Sequence, residues 1–385
     1  MKSKRATKGM GSVSEYLPEK WRGWVDLGND IETGKRLRKS FTGKSHTEVV
    51  NKMKQVLEEK RKGVAVINNA ITFYEFSNRW LDTKENRVKL SSYMGYKDTC
   101  KGHFKDFFGH MQMQKVTTAV INNYLNKKMK EGRASSSLTR QRTLLHNIFE
   151  LAVSEGVIGT NPVRGTTSLI KTNKETHSLL PEDIEKILET AKAYDNRERE
   201  HGKMSTRMYP LIYIAIATGA RRGELLGLQW DAIDFDLGRI AIRQNLVEVS
   251  GEIIIDTPKT DGSRRVIAVG QDVLDILKEL KDSQKVETEW VFTTRSGQYV
   301  YPSNIAGGFK TIRSLAGLSH IRFHDLRHTH ATLLIGSGVD MKTVSSRIGH
   351  KDIRTTLNLY THALPENDRK AASLISSFLR VEKKE

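Results

Sequence analysis

One stretch, Arg164 to His177, is polar and without apolar periodicity, so any fold this chain adopts must be interrupted there. It parts 385 residues into two pieces, a length that suits two or three domains of ordinary size. The pieces differ in charge. Residues 1–62 hold 16 Lys and Arg against 8 Asp and Glu, residues 63–170 hold 15 against 8, and the remaining 215 hold 32 against 29. A formal charge of +18, concentrated before residue 170, points to polyanion contacts made by the N-terminal part. The C-terminal part is then built around something else. Nucleic acid is the first candidate partner. The one cysteine, Cys100, excludes a disulfide framework, a Cys-built zinc site and an iron–sulfur cluster, and fits a reducing cytoplasm. No apolar run follows the basic start MKSKRATKGM, and the most apolar stretch, Leu211 to Ala217, is too short to cross a bilayer. The expectation is a cytoplasmic protein with no membrane partner.

The first piece begins with three strand-like runs, Ser12 to Tyr16, Trp21 to Leu27 and Lys35 to Phe41, separated by Pro18, Gly28-Asn29-Asp30 and Thr33-Gly34. A helix follows, opened by the capping pair Ser45 and Glu48 and striped by Val49, Met53, Val56 and Leu57. In the third run Arg36, Arg38 and Ser40 alternate with Leu37 and Phe41, which gives one basic sheet face of the kind that can lie in a DNA major groove. Residues 71–165 read as all-helical. Phe73, Phe76 and Trp80, then Tyr93, Tyr96, Cys100, Phe104 and Phe107, recur at helical spacing and belong to a core rather than to base-stacking platforms. Two further helices are expected over Thr117 to Lys130 and Ser137 to Ser154, the second bearing Arg140 and Arg142 near its start as candidate phosphate contacts.

The second piece is mainly helical, including an apolar helix from Ser205 to Thr218 that stops at Gly219. Three alternating runs interrupt it, Arg239 to Val247, Glu252 to Asp256 and Arg264 to Val269, and read as a small antiparallel β-meander. The fold class expected for the whole is therefore multidomain α+β. No glycine-rich phosphate loop and no Ser/His/Asp elbow appears. What does appear is Thr218-Gly219-Ala220-Arg221-Arg222-Gly223-Glu224, then Pro258-Lys259-Thr260, then His324-Asp325-Leu326-Arg327-His328-Thr329, then Gly349-His350, then Tyr360. Taken singly, Arg221 reads as a helix-start surface residue, Lys259 as a solvated turn lysine and Tyr360 as a core aromatic.

Taken together they suit one problem. Breaking a DNA phosphodiester without a metal needs charge on the phosphorane oxygens, an acid for the departing 5′ oxygen, and a nucleophile. Two arginines offer bidentate clamps, Lys259 a proton, His350 a hydrogen bond to the phosphate, and a tyrosine can conserve the bond energy as an ester. His324 and His328, four apart, could instead hold zinc, but Asp-Leu-Arg lies between them and no third ligand is apparent, so no metal is expected.

These residues resemble the tyrosine recombinases, the phage integrase family. TGARRGELLGLQW, TPKTDGSRRVI, HDLRHTHATLL and IGHKDIRTTLNLYTH stand in family order, and the resemblance spans nearly the whole chain. It implies Arg221 and Arg327 as catalytic arginines, Lys259 as general acid, His324 and His350 as further active-site residues, Tyr360 as nucleophile and Glu224 as a supporting acid. The pattern TGxRxxE selects Arg221 over Arg222. It also implies three modules: an arm-type DNA-binding domain over 1–63, a helical core-type DNA-binding domain over 70–165, and a catalytic domain over 175–385. The tail, with Leu374, Ile375, Phe378 and Leu379, would dock in cis or on a neighbouring protomer. The implied activity is DNA cleavage and rejoining through a 3′-phosphotyrosyl intermediate and a Holliday junction, by a homotetramer on core-type and arm-type attachment sites, with no cofactor, metal or ATP. An excisionase and a host DNA-bending protein are implied accessories. A type IB topoisomerase and a DNA-binding regulator of the same fold without strand exchange are the rival readings.

Overall fold

The computed structural model describes residues 12–29, 36–61, 71–169, 177–200, 206–256 and 264–349. Lys259, His350, Tyr360 and the apolar stripe of the tail lie outside the described residues. The chain divides into two units, 1–173 and 174–385.

Three antiparallel strands open the first unit: β1 (Ser12–Leu17), β2 (Lys20–Asn29) and β3 (Arg36–Gly43), in the order β1-β2-β3. Strand alternation sends Val13 and Val25 inward onto Val49, Met53 and Val56 of α1 (His46–Arg61), making a small core. The helix start differs from the expected capping box by one position. Ser45 Oγ does accept from the Glu48 amide (3.2 Å), but the Glu48 carboxylate reaches back to the Lys44 amide (2.9 Å) rather than to that of Ser45. Gly23, in the middle of β2, lies so close to α1 that a Cβ there would fall 2.4 Å from the Met53 sulfur.

Beyond α1, the first unit contains α2 (Phe73–Asp82), α3 (Leu90–Thr99), which runs through a π-turn at Cys100–Phe104 into α4 (Lys105–Phe108), then α5 (Thr118–Lys130) and α6 (Ser135–Ser154). A reciprocal cap starts α2, with Thr72 Oγ1 accepting from the Glu75 amide and Glu75 accepting from the Thr72 amide at 2.8 Å. The aromatic stripe is core, as its period indicates: Phe73 meets Phe104, Phe108 and Phe149 at ring separations of 5.9, 5.3 and 5.7 Å. Each such fully buried ring contributes roughly 1.5–3 kcal/mol. After α6, Asn161 accepts from the Val163 amide and donates to the His146 carbonyl (3.0 Å) and to Glu150 (2.7 Å), which turns the chain at Asn161-Pro162.

The second unit contains α7 (Pro181–Glu200), the apolar α8 (Met208–Thr218), the short α9 (Arg222–Leu226), β4 (Ile233–Asp234), β5 (Arg239–Ile242), β6 (Asn245–Val249), β7 (Glu252–Asp256), β8 (Arg265–Ala268), α10 (Gln271–Asp282), α11 (Pro302–Leu315), α12 (Asp325–Gly336) and α13 (Met341–Ile348). Leu211, Ile212, Ile214 and Ala215 of α8 sit at the centre of its core. The strands are antiparallel, but the run expected as one strand from Arg239 to Val247 is two. β5 pairs with β4 and β8, whereas β6, among the described residues, pairs with β7 alone. The break falls at Arg243 and Gln244, whose side chains are drawn away, Gln244 to the Gly227 carbonyl (2.8 Å) and Arg243 to Asp231 (2.9 Å).

Candidate active site

Two loops converge at the C-terminal end of α8. Gly219 ends that helix in the left-handed region (φ 64°), releasing the chain toward Arg221, the residue that starts α9. A Cβ at Gly219 would lie 2.6 Å from His330 Cδ2, so the position is closed to other residues by space as well as by φ. The Gly219 carbonyl accepts a hydrogen bond from Arg327 Nη1 (2.9 Å), which brings the buried guanidinium of α12 to a loop 108 residues away in sequence.

Arg221 is held from both sides. Its Nη1 donates to Glu224 Oε1 at 2.7 Å, its backbone amide to Glu224 Oε2 at 2.8 Å, and its Nη2 to the Gly349 carbonyl at 3.3 Å. Glu224 is 4% exposed. Burial raises the pKa of such a carboxyl, yet the hydrogen bond and charge of Arg265, then the charge and amide of Arg221, outweigh that and leave it below the usual carboxylate range. Arg222 diverges from its neighbour. It is half-buried beside Glu248 and lines a groove of about 550 Å³ with Asn245, Glu248 and Ser303. Arg221 and Arg222 thus point to different surroundings, Arg221 to Glu224 and the Gly349 carbonyl and Arg222 to this groove.

His324 stands at the start of α12 with Arg327 in its first turn. Its ring keeps an exposed edge, yet the protein packed around it, then His328, Arg327 and Arg221, lower its pKa to about 4. The imidazole is therefore neutral at pH 7 and can both donate and accept. His328 packs edge-on against it at 5.1 Å, is buried, and has its own pKa lowered first by that burial. His330 donates from Nδ1 to the Ile216 carbonyl (2.8 Å) and is likewise held down to about 4, by burial and then by Arg347. Asp325, fully buried, accepts three bonds from Arg322, between 2.7 and 3.0 Å, and locks the turn before α12.

Of the residues expected at the site, Arg221, Glu224, His324 and Arg327 fall in one cluster. Among the candidate DNA contacts, Arg36 pairs with Asp26 across β2 and β3, and Arg38 stands opposite Asp26 in the strand register on the same exposed face as Trp24. Arg140 is exposed on α6, whereas Arg142 is half-buried and donates to Thr166 Oγ1 (2.6 Å) and the Val163 carbonyl (3.3 Å). Its guanidinium ties α6 to the segment beyond Pro162. Arg265, adjacent to Arg264 in a basic hairpin sequence, is not among the residues expected at the site. The strand period offers a signal: Arg265 shares a face of β8 with the buried Ile267, and its side chain is only 6% exposed.

Known proteins resemble the chain over most of its length. The phage integrase family matches residues 177–367, and the phage integrase N-terminal SAM-like domain matches residues 72–129. The chain is 29% identical to a XerC-like tyrosine recombinase of Caldanaerobacter subterraneus subsp. tengcongensis, over 93% of this chain and 96% of that protein. It is 27% identical to the ICEBs1 integrase of Bacillus subtilis, over 92% and 96%. Two solved structures share the fold. The Tn1549 transposon integrase in complex with a circular intermediate DNA superposes with a TM-score of 0.67 at 21% identity, over 78% of this chain and 99% of that one. A lambda integrase tetramer bound to a Holliday junction gives 0.60 at 19%, over 91% and 96%. Two family models, two near full-length relatives and a shared fold place the chain in the phage integrase family, the tyrosine recombinases.

Proposed function

We propose that the chain is a site-specific DNA integrase that cuts and rejoins strands through a 3′-phosphotyrosyl ester at Tyr360. The observation that carries the reading is the convergence of Arg221 and Arg327 on one turn, with neutral His324 beside them. Two fixed guanidinium forks supply positive charge where a phosphorane would accumulate negative charge. His324 adds a hydrogen bond without adding another cation. Tyr360 attacks the scissile phosphorus and forms the P–O ester, while the 5′ oxygen departs with a proton from Lys259. His350 helps hold the phosphoryl oxygens. The 5′ hydroxyl of a partner strand then attacks the ester, releases Tyr360 and reseals the DNA. Each cleavage conserves one bond, so ATP has no part in the balance. A Holliday junction between two rounds of exchange, and four protomers to cut four strands, follow from that chemistry.

The three-module layout belongs to the same proposal. Two separate hydrophobic cores, one under the β1–β3 sheet and one within α2–α6, support an arm-type domain over 1–63 and a core-type domain over 70–165, ahead of a catalytic domain over 175–385. A DNA-bending protein and an excisionase are the proposed accessories.

The test is covalent trapping. A duplex selected from random-sequence DNA by the wild-type protein is nicked near the cleavage point, so that the released fragment diffuses away. The wild type in EDTA gives a protein–DNA band on a denaturing gel, and Tyr360→Phe gives none. A duplex that is bound but never trapped would favour the DNA-binding regulator.

A further inference from the structure

Glu224 serves two arginines at once. Arg221 takes Oε1 with its side chain and Oε2 with its amide, while Arg265 Nη1 and Nη2 approach the same two oxygens at 3.2 and 2.8 Å. The two cations are not equivalent. The Arg265 side chain is 6% exposed and lies behind the carboxylate, whereas that of Arg221 is 38% exposed and faces outward. A Glu224–Arg221 pair by itself would be neutral, a poor arrangement for a residue that must stabilise an anion. With Arg265 added, the cluster of two guanidiniums and one carboxylate keeps a net positive charge.

The same guanidinium reaches the end of α13. Arg265 Nε donates to the Arg347 carbonyl at 2.6 Å, and a Cβ on Gly349 would lie 3.1 Å from Arg265 Nη1. Gly349 is left-handed (φ 66°) and offers its carbonyl to Arg221. Arg347 returns to β8 by donating from Nη1 to the Ala268 carbonyl at 3.1 Å. β8, the end of α13 and Arg221 are thereby tied together through one side chain, immediately before His350 in sequence.

We propose that Arg265 is a positioning residue for strand cleavage. It takes up the Glu224 charge, leaving that of Arg221 to the phosphate, and it sets the Arg347–Gly349 turn relative to Arg221. The inference rests on the recombinase reading above. Lysine cannot replace it, because one ammonium cannot serve both carboxylate oxygens and the Arg347 carbonyl in a fixed plane.

The experiment uses the full chain and the nicked, selected duplex, and reads single-turnover covalent complex formation, duplex affinity and thermal melting. Arg265→Met is expected to slow trapping roughly 100-fold, the size of effect that follows when a reacting group is misplaced by about 1 Å, while affinity stays within about 2-fold. Arg265→Lys remains slow despite its charge. Glu224→Gln added to Arg265→Met makes trapping faster than in Arg265→Met alone, since the uncompensated carboxylate is gone. Should Arg265→Met fail to fold, the folded Arg265→Lys variant decides by its trapping rate alone, since its ammonium keeps the charge and loses only the fixed plane. A double variant no faster than the single one, or single variants that trap at the wild-type rate, would overturn the proposal. A wild type that gives no Tyr360-dependent product removes the recombinase reading itself, a failure seen before any Arg265 variant is tested.

Discussion

Gly219→Ala is the sharpest single perturbation of the site. An alanine at φ 64° costs roughly 1 kcal/mol in backbone strain. The new Cβ would stand 2.6 Å from His330 Cδ2 and 3.1 Å from Ile348 Cγ2, both well inside ordinary contact. His330 has little room to retreat, being 5% exposed and hydrogen-bonded to Ile216. Overpacking of this kind adds about 1–3 kcal/mol, so the whole substitution destabilises the catalytic unit by about 2–4 kcal/mol. The backbone that shifts carries the carbonyl bound by Arg327, and a displacement of about 1 Å there slows cleavage roughly 100-fold. Urea unfolding measures the first effect, and trapping on the nicked duplex at a temperature where both proteins are folded measures the second. His330→Ala in the same chain relieves the overlap, so the double variant is more stable than the sum of the single losses. A loss below about 0.5 kcal/mol with wild-type cleavage would refute the reasoning, because that is the range of a substitution touching nothing special.

Other expectations follow from the same contacts. His330 is neutral in the fold down to about 4, while the unfolded chain takes up a proton near 6.5, so stability declines as pH falls through that window and is unaffected above it. The slope from this group is at most roughly 1.4 kcal/mol per pH unit, and denaturation series at several pH values should show His330→Gln removing it. Asn161→Ala loses the bonds to Val163, His146 and Glu150 and destabilises the helical unit by about 1–3 kcal/mol, measured by urea denaturation of the whole chain. Arg38→Ala weakens binding to a selected arm-type duplex and lowers the salt slope of its affinity by about 1, with cleavage of an isolated core-type duplex unchanged.

Much of the fold can be read from local pattern. Val13 and Val25 against exposed Ser12 and Trp24, or Phe73, Phe76 and Trp80 on one face of α2, announce their burial by period alone. The strand break at Arg243 and Gln244 cannot be read that way. It depends on the Gly227 carbonyl and on Asp231, partners brought close only by the completed fold. Arg221, Glu224, His324 and Arg327 were legible as an ordered set, although no spacing rule says that Arg327 bonds the Gly219 carbonyl. Arg265 is harder to read. In Arg264-Arg265-Val266-Ile267 each strand face carries one arginine and one aliphatic residue, so alternation alone does not choose between them; Val266 is 62% exposed, and the register with Ile240 and Ile242 turns Ile267 and Arg265 inward. Pairing partners chose the buried face.

The proposed tyrosine mechanism rests most directly on the bond between Tyr360 and DNA. The covalent complex trapped in EDTA can be digested with protease and nuclease and the surviving nucleotide-bearing peptide sequenced by mass spectrometry. The prediction is a nucleotide joined through its 3′ phosphate to the peptide containing Tyr360, with a free 5′ hydroxyl on the departed strand. Linkage to any other side chain, or through a 5′ phosphate, would contradict it.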